Sequence, residues 1–306
     1  MKKAFIALAA AGSLWGTGFL VGKWALEELT VGQLVLYRFI FATLGFAPSI
    51  WRGLSRRETR IQRRDLPTIA IAALFGVPIQ FLIQFEGLAR TTVSHASLMI
   101  GILPVLLAAA SALFMHEMVR ASRWIALLAS TVGAGLIAFG ASTGEAGTQA
   151  SLTGDLLVIA SLFTAIVWIL ISQHLMTSGR YSPTNVSAYI LGLGTLMLAV
   201  WVIAREGMLP VHLSARTWFS IVTIGIVATT VTTYLWNWGL ARVPASQAGV
   251  FLNLEPVVGT VLGVLILGDL LGAYAIIGGL LVIGAAVFVA ASDNHEASPA
   301  EVASAR

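Results

Sequence analysis

Ten long apolar stretches dominate the sequence of 306 residues and limit what the chain can fold into. A bilayer core about 30 Å thick needs roughly 20 residues of helix to span it, and each stretch reaches that length. Charged residues make up 10% of the chain, whereas a soluble domain has roughly 25%, so too few remain to cover a surface that faces water. We therefore expect an all-α integral membrane fold of ten transmembrane helices. The predicted helices lie near residues 4–26, 31–51, 67–89, 92–115, 119–140, 153–174, 183–204, 214–239, 244–267 and 270–291.

Positive charges are concentrated in alternate loops between these helices. With a cytoplasmic N-terminus, the inner loops contain Lys2, Lys3, Arg52, Arg56, Arg57, Arg60, Arg63, Arg64, Arg120, Arg123, Arg180 and Arg242. The outer loops contain Arg90, Arg205 and Arg216. This asymmetry follows the positive-inside rule and predicts that both termini are cytoplasmic. The pI near 9.8 therefore reflects topology and contact with anionic lipid, and it does not indicate a nucleic-acid partner.

The sequence lacks residues that several other classes of protein require. It has no cysteine, which excludes disulfides, zinc–thiolate sites and thiol catalysis. No His-Glu-x-x-His motif or convincing Ser/His pair indicates an intramembrane enzyme, and no phosphate-binding loop indicates an ATP-driven pump. We accordingly predict no catalytic residue, no metal site and no cofactor.

The two halves of the chain repeat each other. The segment 87–90 (Gly-Leu-Ala-Arg) recurs at 239–242, and the same offset relates both halves without a gap across two helices. At an offset one residue larger, Trp15 corresponds to Trp168. Five helices that begin inside end outside, so a second five-helix unit enters the membrane upside down. The predicted domains are a first repeat at 4–140, an inverted second repeat at 153–291 and a disordered cytoplasmic tail at 292–306.

Inverted repeats are typical of secondary transporters, whose substrate site lies near the bilayer midplane between the halves. Pro104 and Pro256 are equivalent in the two repeats, and each removes a helical hydrogen bond near the predicted centre of the bilayer. An ordinary kink is one interpretation, whereas a discontinuous helix at this depth favours a hinge or a binding site. A channel is a further alternative. The repeat and the broken helices favour a transporter that works by alternating access over a channel.

Several motifs resemble the drug/metabolite transporter superfamily. They are Leu14-Trp15-Gly16 and Lys23 in the first helix, Arg38 in the second, and two Pro-Val helices that each end in an acidic residue. The resemblance is to the EamA family, whose second-half signature reads here Leu254-Glu255-Pro256-Val257, Gly268-Asp269 and Gly278-Gly279, with Asp269 where glutamate is commoner. The resemblance implies a multi-pass exporter of the bacterial inner membrane, most like members that export aromatic amino acids. Efflux of drugs or other metabolites is the alternative.

Polar and aromatic groups deep in the apolar spans are the candidates for substrate binding, because such groups are costly in lipid. Trp15 and Trp168 lie well inside their spans and are paired by the repeat. Gln80 and Gln84 lie one turn apart on one helix face, where they either bind an amino acid or bond neighbouring helices. The predicted substrate-binding residues are Trp15, Gln80, Gln84, Met99, Trp168, Trp236 and Asn253.

A second group of residues is predicted to couple or gate transport. Glu255 is a candidate proton carrier, and its alternatives are to cap freed backbone groups or to pair with Arg38. Arg38 attracts a substrate carboxylate, holds an outer gate or forms a structural ion pair. The predicted coupling and gating residues are Glu255, Arg38, Pro104 and Pro256. The expected partners are amino acids and membrane lipid, with the protein as a monomer.

Overall fold

The computed structural model describes residues 2–55, 61–90, 99–140, 152–262, 265 and 273–296. Within these ranges the secondary structure is helical and no strand occurs, which confirms the all-α expectation. Several predicted features lie outside the described part of the chain. They are residues 92–98 of the fourth helix, residues 263, 264, 266 and 267 of the ninth, residues 270–272 of the tenth, the Gly268-Asp269 pair, residues 297–306 of the tail, and Arg56, Arg57 and Arg60 of an inner loop. The number of membrane spans and the cytoplasmic position of the termini stay predictions.

The described residues form ten helical rods, which we label in chain order. Seven are single helices: α1 (Lys2–Ala25), α2 (Val31–Ser55), α4 (Leu103–Phe114), α5 (Ala121–Gly140), α6 (Leu152–Thr177), α7 (Pro183–Glu206) and α10 (Ala273–Glu296). Three are interrupted: α3 (Leu66–Leu74, Phe75–Ile79 and Gln80–Leu88), α8 (Ala215–Gly225, Ile226–Val231 and Thr232–Leu240) and α9 (Ala245–Gly249, Val250–Asn253 and Leu254–Leu262). A short 3-10 turn, Arg63–Asp65, precedes α3. Helix α10 continues to Glu296, past the predicted start of the tail at 292.

Length and composition allow several of these rods to cross a membrane. In the described part of the chain, five segments are long and apolar enough: Val31–Trp51, Arg63–Leu88, Leu152–Thr177, Pro183–Glu206 and Ala215–Leu240. Large apolar side chains also cover the outside of the molecule. More than half of the residue surface is exposed at Ile6, Leu113, Phe163, Val200 and Leu280. An outer surface of this kind is suited to lipid and not to water.

The middle segments of α3 and α8 are π-helical, and they occupy equivalent places in the two repeats. In α3 the segment contains Pro78, which lacks an N–H group and cannot continue an α-helical hydrogen-bond pattern. In α8 the hydroxyls of Thr229 and Thr230 donate to the carbonyls of Ile224 and Gly225 at 2.8 and 3.2 Å. These side chains satisfy backbone groups that lipid would leave unpaired.

The predicted helix breaks at Pro104 and Pro256 are present. Pro104 lies in the first turn of α4, and Pro256 lies in the first turn of the last segment of α9. The first N–H groups of a helix have no partner within it, so proline costs no hydrogen bond there. In α9 a 3-10 turn, Val250–Asn253, separates this segment from the one before it.

Equivalent helices of the two repeats pack against each other: α2 on α7, α4 on α9 and α5 on α10. The contact of α1 with α8 is likewise matched by that of α6 with α3. Thr43 and Thr195, which are 152 positions apart, share a hydrogen bond of 2.7 Å between their hydroxyls. A residue thus meets its own repeat copy, and a pseudo-two-fold axis passes between these two helices.

The equivalent helices α2 and α7 run antiparallel. Thr30, just before α2, donates a hydrogen bond to Glu206 at the end of α7. Beyond the other end of α2, Asp65 accepts a hydrogen bond of 2.6 Å from Tyr181, which precedes α7. This is the arrangement that inverted repeats require.

Helix α1 approaches α9 closely through two glycines. A Cβ atom added to Gly12 would lie 2.1 Å from the carbonyl oxygen of Phe251. One added to Gly16 would lie 2.5 Å from the carbonyl oxygen of Glu255. Both distances are far below van der Waals contact, so only glycine allows the two backbones to meet here.

Candidate functional site

A small cavity lies where α1, α2, α3, α6, α7 and α8 meet. Its lining residues are Trp15, Arg38, Phe39, Gly76, Val77, Phe81, Trp168, Ser187, Ile190, Leu191, Thr229, Thr233 and Asn237.

Most of these residues line the cavity together with their own repeat equivalents. The two tryptophans, Trp15 and Trp168, form one such pair. The other pairs are Arg38 with Ile190, Phe39 with Leu191, Val77 with Thr229, and Phe81 with Thr233. The cavity therefore lies on the pseudo-two-fold axis, which is where inverted-repeat transporters place their substrate.

The two sides of the cavity differ in chemistry although they are equivalent in position. Helix α8 contributes Thr229, Thr233 and Asn237, which are spaced four residues apart and share one helix face. The equivalent positions of α3 are Val77, Phe81 and Phe85. One side of the cavity is thus polar and the other is apolar.

The basic group of the cavity is Arg38, whose surface is only 7% exposed. Its Nε donates a hydrogen bond of 2.8 Å to the hydroxyl of Thr229, and its guanidinium carbon lies 4.5 Å from the ring centre of Phe81. Within the described residues, no further hydrogen bond is made by its terminal nitrogens. A planar guanidinium that is fixed in this way can still donate two parallel hydrogen bonds to a carboxylate.

Two predicted residues, Trp15 and Trp168, form aromatic walls of the cavity. The indole N–H of Trp168 donates to Oε1 of Gln80 at 2.7 Å, so Gln80 orients this tryptophan. Gly76 makes room for the ring, because an added Cβ atom would lie 2.6 Å from Cγ of Trp168. On the other wall, the rings of Trp15 and Trp236 are 5.5 Å apart.

Five predicted substrate-binding residues do not line the cavity: Gln80, which bonds to Trp168, and Gln84, Met99, Trp236 and Asn253. Trp236 is completely buried behind Trp15, and its indole N–H has no partner in the described part of the chain. Asn253 is buried in α9 and donates a hydrogen bond of 3.1 Å to Ser130 of α5. Gln84 and Met99 are half-buried. These residues lie on the predicted helices, but on helix faces that do not line the cavity.

The predicted coupling residue Glu255 is half-buried in the first turn of the last segment of α9. It lies near enough to Arg38 for their charges to interact. Within the described ranges the two side chains do not form a direct ion pair. Glu255 does not line the cavity, and neither do Pro104 and Pro256.

The sequence analysis did not single out Asn237, which is 1% exposed. Its Nδ2 donates a hydrogen bond of 2.8 Å to the hydroxyl of Ser187, which in turn donates to the carbonyl of Pro183 at 2.8 Å. Its Oδ1 accepts no hydrogen bond within the described residues. The four-residue spacing from Thr229 and Thr233 is the signal that identifies it.

The described residues provide no place for a metal ion. No group of three or more histidine, aspartate or glutamate side chains comes together among them. The chemistry of the cavity is instead that of hydrogen bonds, one cation and aromatic surfaces.

The model of the EamA-like transporter family matches residues 2–139 and 152–291. The chain belongs to this family. The EamA-like transporters are part of the drug/metabolite transporter superfamily, and the two matches correspond to the two repeats.

Curated proteins similar to this EamA-like transporter carry transporter names. One, an uncharacterized transporter of Archaeoglobus fulgidus, is 27% identical over 94% of this chain and 99% of its own length. An uncharacterized transporter of Bacillus subtilis is 22% identical over 91% of this chain and 86% of its own. A probable terminal-alkyne amino-acid exporter of Streptantibioticus cattleyicolor is 25% identical over 94% of each chain.

A solved crystal structure has the same fold as this EamA-like transporter. It superposes with a TM-score of 0.76 over 94% of this chain and 98% of that chain, at 22% sequence identity.

Proposed function

We propose that this EamA-like transporter exports amino acids, aromatic ones and also other neutral ones, by alternating access through the central cavity. The observation that carries the proposal is the division of the cavity into a polar side and an apolar side at equivalent positions of α8 and α3. An amino acid with an aromatic side chain has the same division between its charged and apolar ends.

Arg38 is the residue that we assign to the substrate carboxylate. It is fixed by Thr229 and Phe81, and its terminal nitrogens have no hydrogen-bond partner among the described residues. Among the described residues no carboxylate lines the cavity, so an anionic group of the substrate meets one fixed cation there. A desolvated arginine that lacks an acceptor favours binding of a carboxylate.

The aromatic walls accommodate the side chain of the substrate. Trp15 and Trp168 come from equivalent helices, and Phe81 covers the apolar side. Aromatic side chains attract one another in stacked and edge-to-face arrangements beyond the effect of buried area. The amino-acid exporter among the relatives and the resemblance of the sequence to exporters of aromatic amino acids support the same substrate class.

The proposed setting is the inner membrane of a bacterium, with both termini in the cytoplasm and the protein as a monomer without a cofactor. The repeats at 4–140 and 153–291 would exchange conformations, so that the cavity opens first to one side and then to the other. Residues 292–306 would form a cytoplasmic tail. Outward flux is inferred from the exporters that the chain resembles.

The test is counterflow of labelled phenylalanine by the purified protein in liposomes. Arg38→Gln should lower counterflow at least about tenfold, because a buried charged hydrogen bond to the carboxylate is lost. The matched control is Arg90→Gln, since Arg90 lies at the surface in an ion pair with Glu86. Absence of counterflow with every amino acid would overturn the proposal, and uptake of drugs instead would favour the alternative of drug or metabolite efflux.

A further inference from the structure

Asn237 lies at the end of the polar side of the cavity, and only one of the two polar atoms of its buried amide forms a hydrogen bond. The hydroxyl of Ser187 donates to the carbonyl of Pro183, so toward Asn237 it can only accept. The amide nitrogen of Asn237 is therefore the group that faces Ser187, and Oδ1 is the group without a partner. A buried acceptor without a donor is costly, and a donor supplied by the substrate removes that cost.

The position of Asn237 determines which donor can reach it. Thr229, the partner of Arg38, precedes Asn237 by eight residues on one helix face, which is about 12 Å along the axis. The α-ammonium group of an amino acid is attached to the carbon that bears the carboxylate. With the carboxylate at Arg38, this ammonium group is too close to Arg38 to reach Asn237, so the donor must come from the far end of the side chain.

We infer that Asn237 is a specificity-determining residue that accepts a hydrogen bond from a donor at the far end of an aromatic side chain. The phenol hydroxyl of tyrosine and the indole N–H of tryptophan are such donors, whereas phenylalanine has none. The equivalent residue of the first repeat is Phe85, so the acceptor exists on one side of the axis only. The inference rests on the proposed function and refines its substrate class.

Substrates that differ by a single group test the inference without any change to the protein. Tyrosine should compete with labelled phenylalanine for counterflow about tenfold better than O-methyltyrosine, which has the same ring and oxygen but no donor. Equal competition by the two compounds would overturn the role of Asn237. If neither phenylalanine, tyrosine nor O-methyltyrosine were transported, the proposed function would be overturned instead.

A variant locates the effect at the amide. Asn237→Leu keeps the size of the side chain and removes the acceptor, so tyrosine and O-methyltyrosine should compete about equally well in this variant. The control is Ser220→Ala, because Ser220 is buried in the same helix, bonds to the carbonyl of Arg216 and does not line the cavity. A tyrosine advantage that survives in Asn237→Leu would assign recognition to another residue and overturn the inference.

Discussion

The closest approach of the helix backbones depends on single glycines in α1. Gly12→Val places a branched side chain where the carbonyl oxygen of Phe251 lies 2.1 Å from the Cβ position. We expect Gly12→Val to lower the free energy of unfolding by about 2 kcal/mol or more, because overpacking forces the backbones of α1 and α9 apart. Thermal unfolding in detergent, followed by tryptophan fluorescence, measures the change.

The control for this substitution lies on the same helix. At Gly22 the nearest atom to an added Cβ is Cδ1 of Ile224 at 3.5 Å, which is ordinary contact. Gly22→Ala should therefore leave the unfolding temperature nearly unchanged. Equal unfolding temperatures for Gly12→Val and the wild-type protein would show that α1 and α9 are not packed as described.

The ionisable carboxylate of Glu255 gives a second prediction for a single residue. If this carboxylate carries the coupling proton, Glu255→Gln abolishes the pH dependence of phenylalanine transport, because glutamine keeps the size of the side chain but cannot ionise. Transport by proteoliposomes over a range of pH measures it. Glu86→Gln is the control, since Glu86 is exposed. A pH profile that is preserved in Glu255→Gln would leave only a structural role.

Single residues were predictable from the sequence where depth or the repeat identified them. Trp15 and Trp168 were found through the repeat, and Arg38 through its charge within an apolar span. Hydropathy does not give the rotation of a helix that is apolar all round. For this reason Trp236 was expected in the cavity although it packs behind Trp15, while Asn237, its neighbour in the chain, was missed.

At the scale of elements, the π segments of α3 and α8 are the unusual feature, and both reach the cavity through Val77 and Thr229. Their causes differ. In α3 the proline imposes the irregular turn, whereas in α8 threonine hydroxyls satisfy the carbonyls that the wider turn leaves free. Such segments often occur at functional sites, because the backbone there can shift its hydrogen bonds at low cost.

A substitution of Thr230 measures how much a threonine hydroxyl of the π segment contributes to stability. Its Oγ1 lies 3.2 Å from the carbonyl of Gly225 and 3.1 Å from that of Ala42, and it bridges α8 to α2. Thr230→Val is nearly isosteric and should destabilise the protein by about 1–2 kcal/mol, because the carbonyls of two buried residues lose the one donor that they share. Chemical unfolding in detergent measures this, with Thr223→Val as the control outside the π segment. No difference between the two variants would contradict the role of the hydroxyl.

The helix breaks were predictable only in part. Proline indicates where an α-helical hydrogen bond is missing, so the discontinuities at Pro104 and Pro256 were expected. The π segment of α8 contains no proline, and its residues Ile226–Val231 are as apolar as the rest of the helix. Composition alone does not distinguish the i→i+4 from the i→i+5 pattern, so this segment was predicted as an ordinary helix.

At the scale of the whole molecule, the halves are joined at each end of the α2–α7 pair. At one end, Tyr181 donates to Asp65 at 2.6 Å and accepts a hydrogen bond of 3.1 Å from the backbone N–H of Gln62. Arg180 forms an ion pair of 3.1 Å with the same aspartate. At the other end, Glu206 accepts a hydrogen bond from Thr30. Alternating access requires that such contacts break at one end at a time.

Tyr181→Phe removes both hydrogen bonds of the phenol and should shift the molecule toward a state that is open at this end. Because the chain has no cysteine, cysteines introduced at the exposed positions Arg64 and His174 can carry spin labels without background. The distances between the labels should become longer and more widely distributed. Tyr234→Phe, at an exposed position of α8, is the control. An unchanged distribution in Tyr181→Phe would show that the phenol does not hold this end closed.

The same contact has a predictable pH dependence. Burial, followed by the hydrogen bond to Asp65, raises the pKa of Tyr181 above its ordinary value of 10.0. The stabilisation is therefore fully present below that value and is lost as the pH rises through the raised pKa. The distance between the spin labels in the otherwise unchanged protein should stay constant up to about pH 9. A longer distance between the labels at neutral pH would contradict the predicted direction of the pH dependence.

The hydrogen bond between Thr43 and Thr195 shows that the halves meet as the subunits of an isologous dimer do. In a dimer of identical chains, every interface residue is present twice, so an arginine at position 38 would lie opposite a second arginine in a desolvated space. Joining the halves in one chain removes that constraint. Arg38 can then lie opposite Ile190, and Asn237 can occupy the place that Phe85 holds in the other half. The covalent link thus allows the two sides of a symmetric scaffold to differ in chemistry.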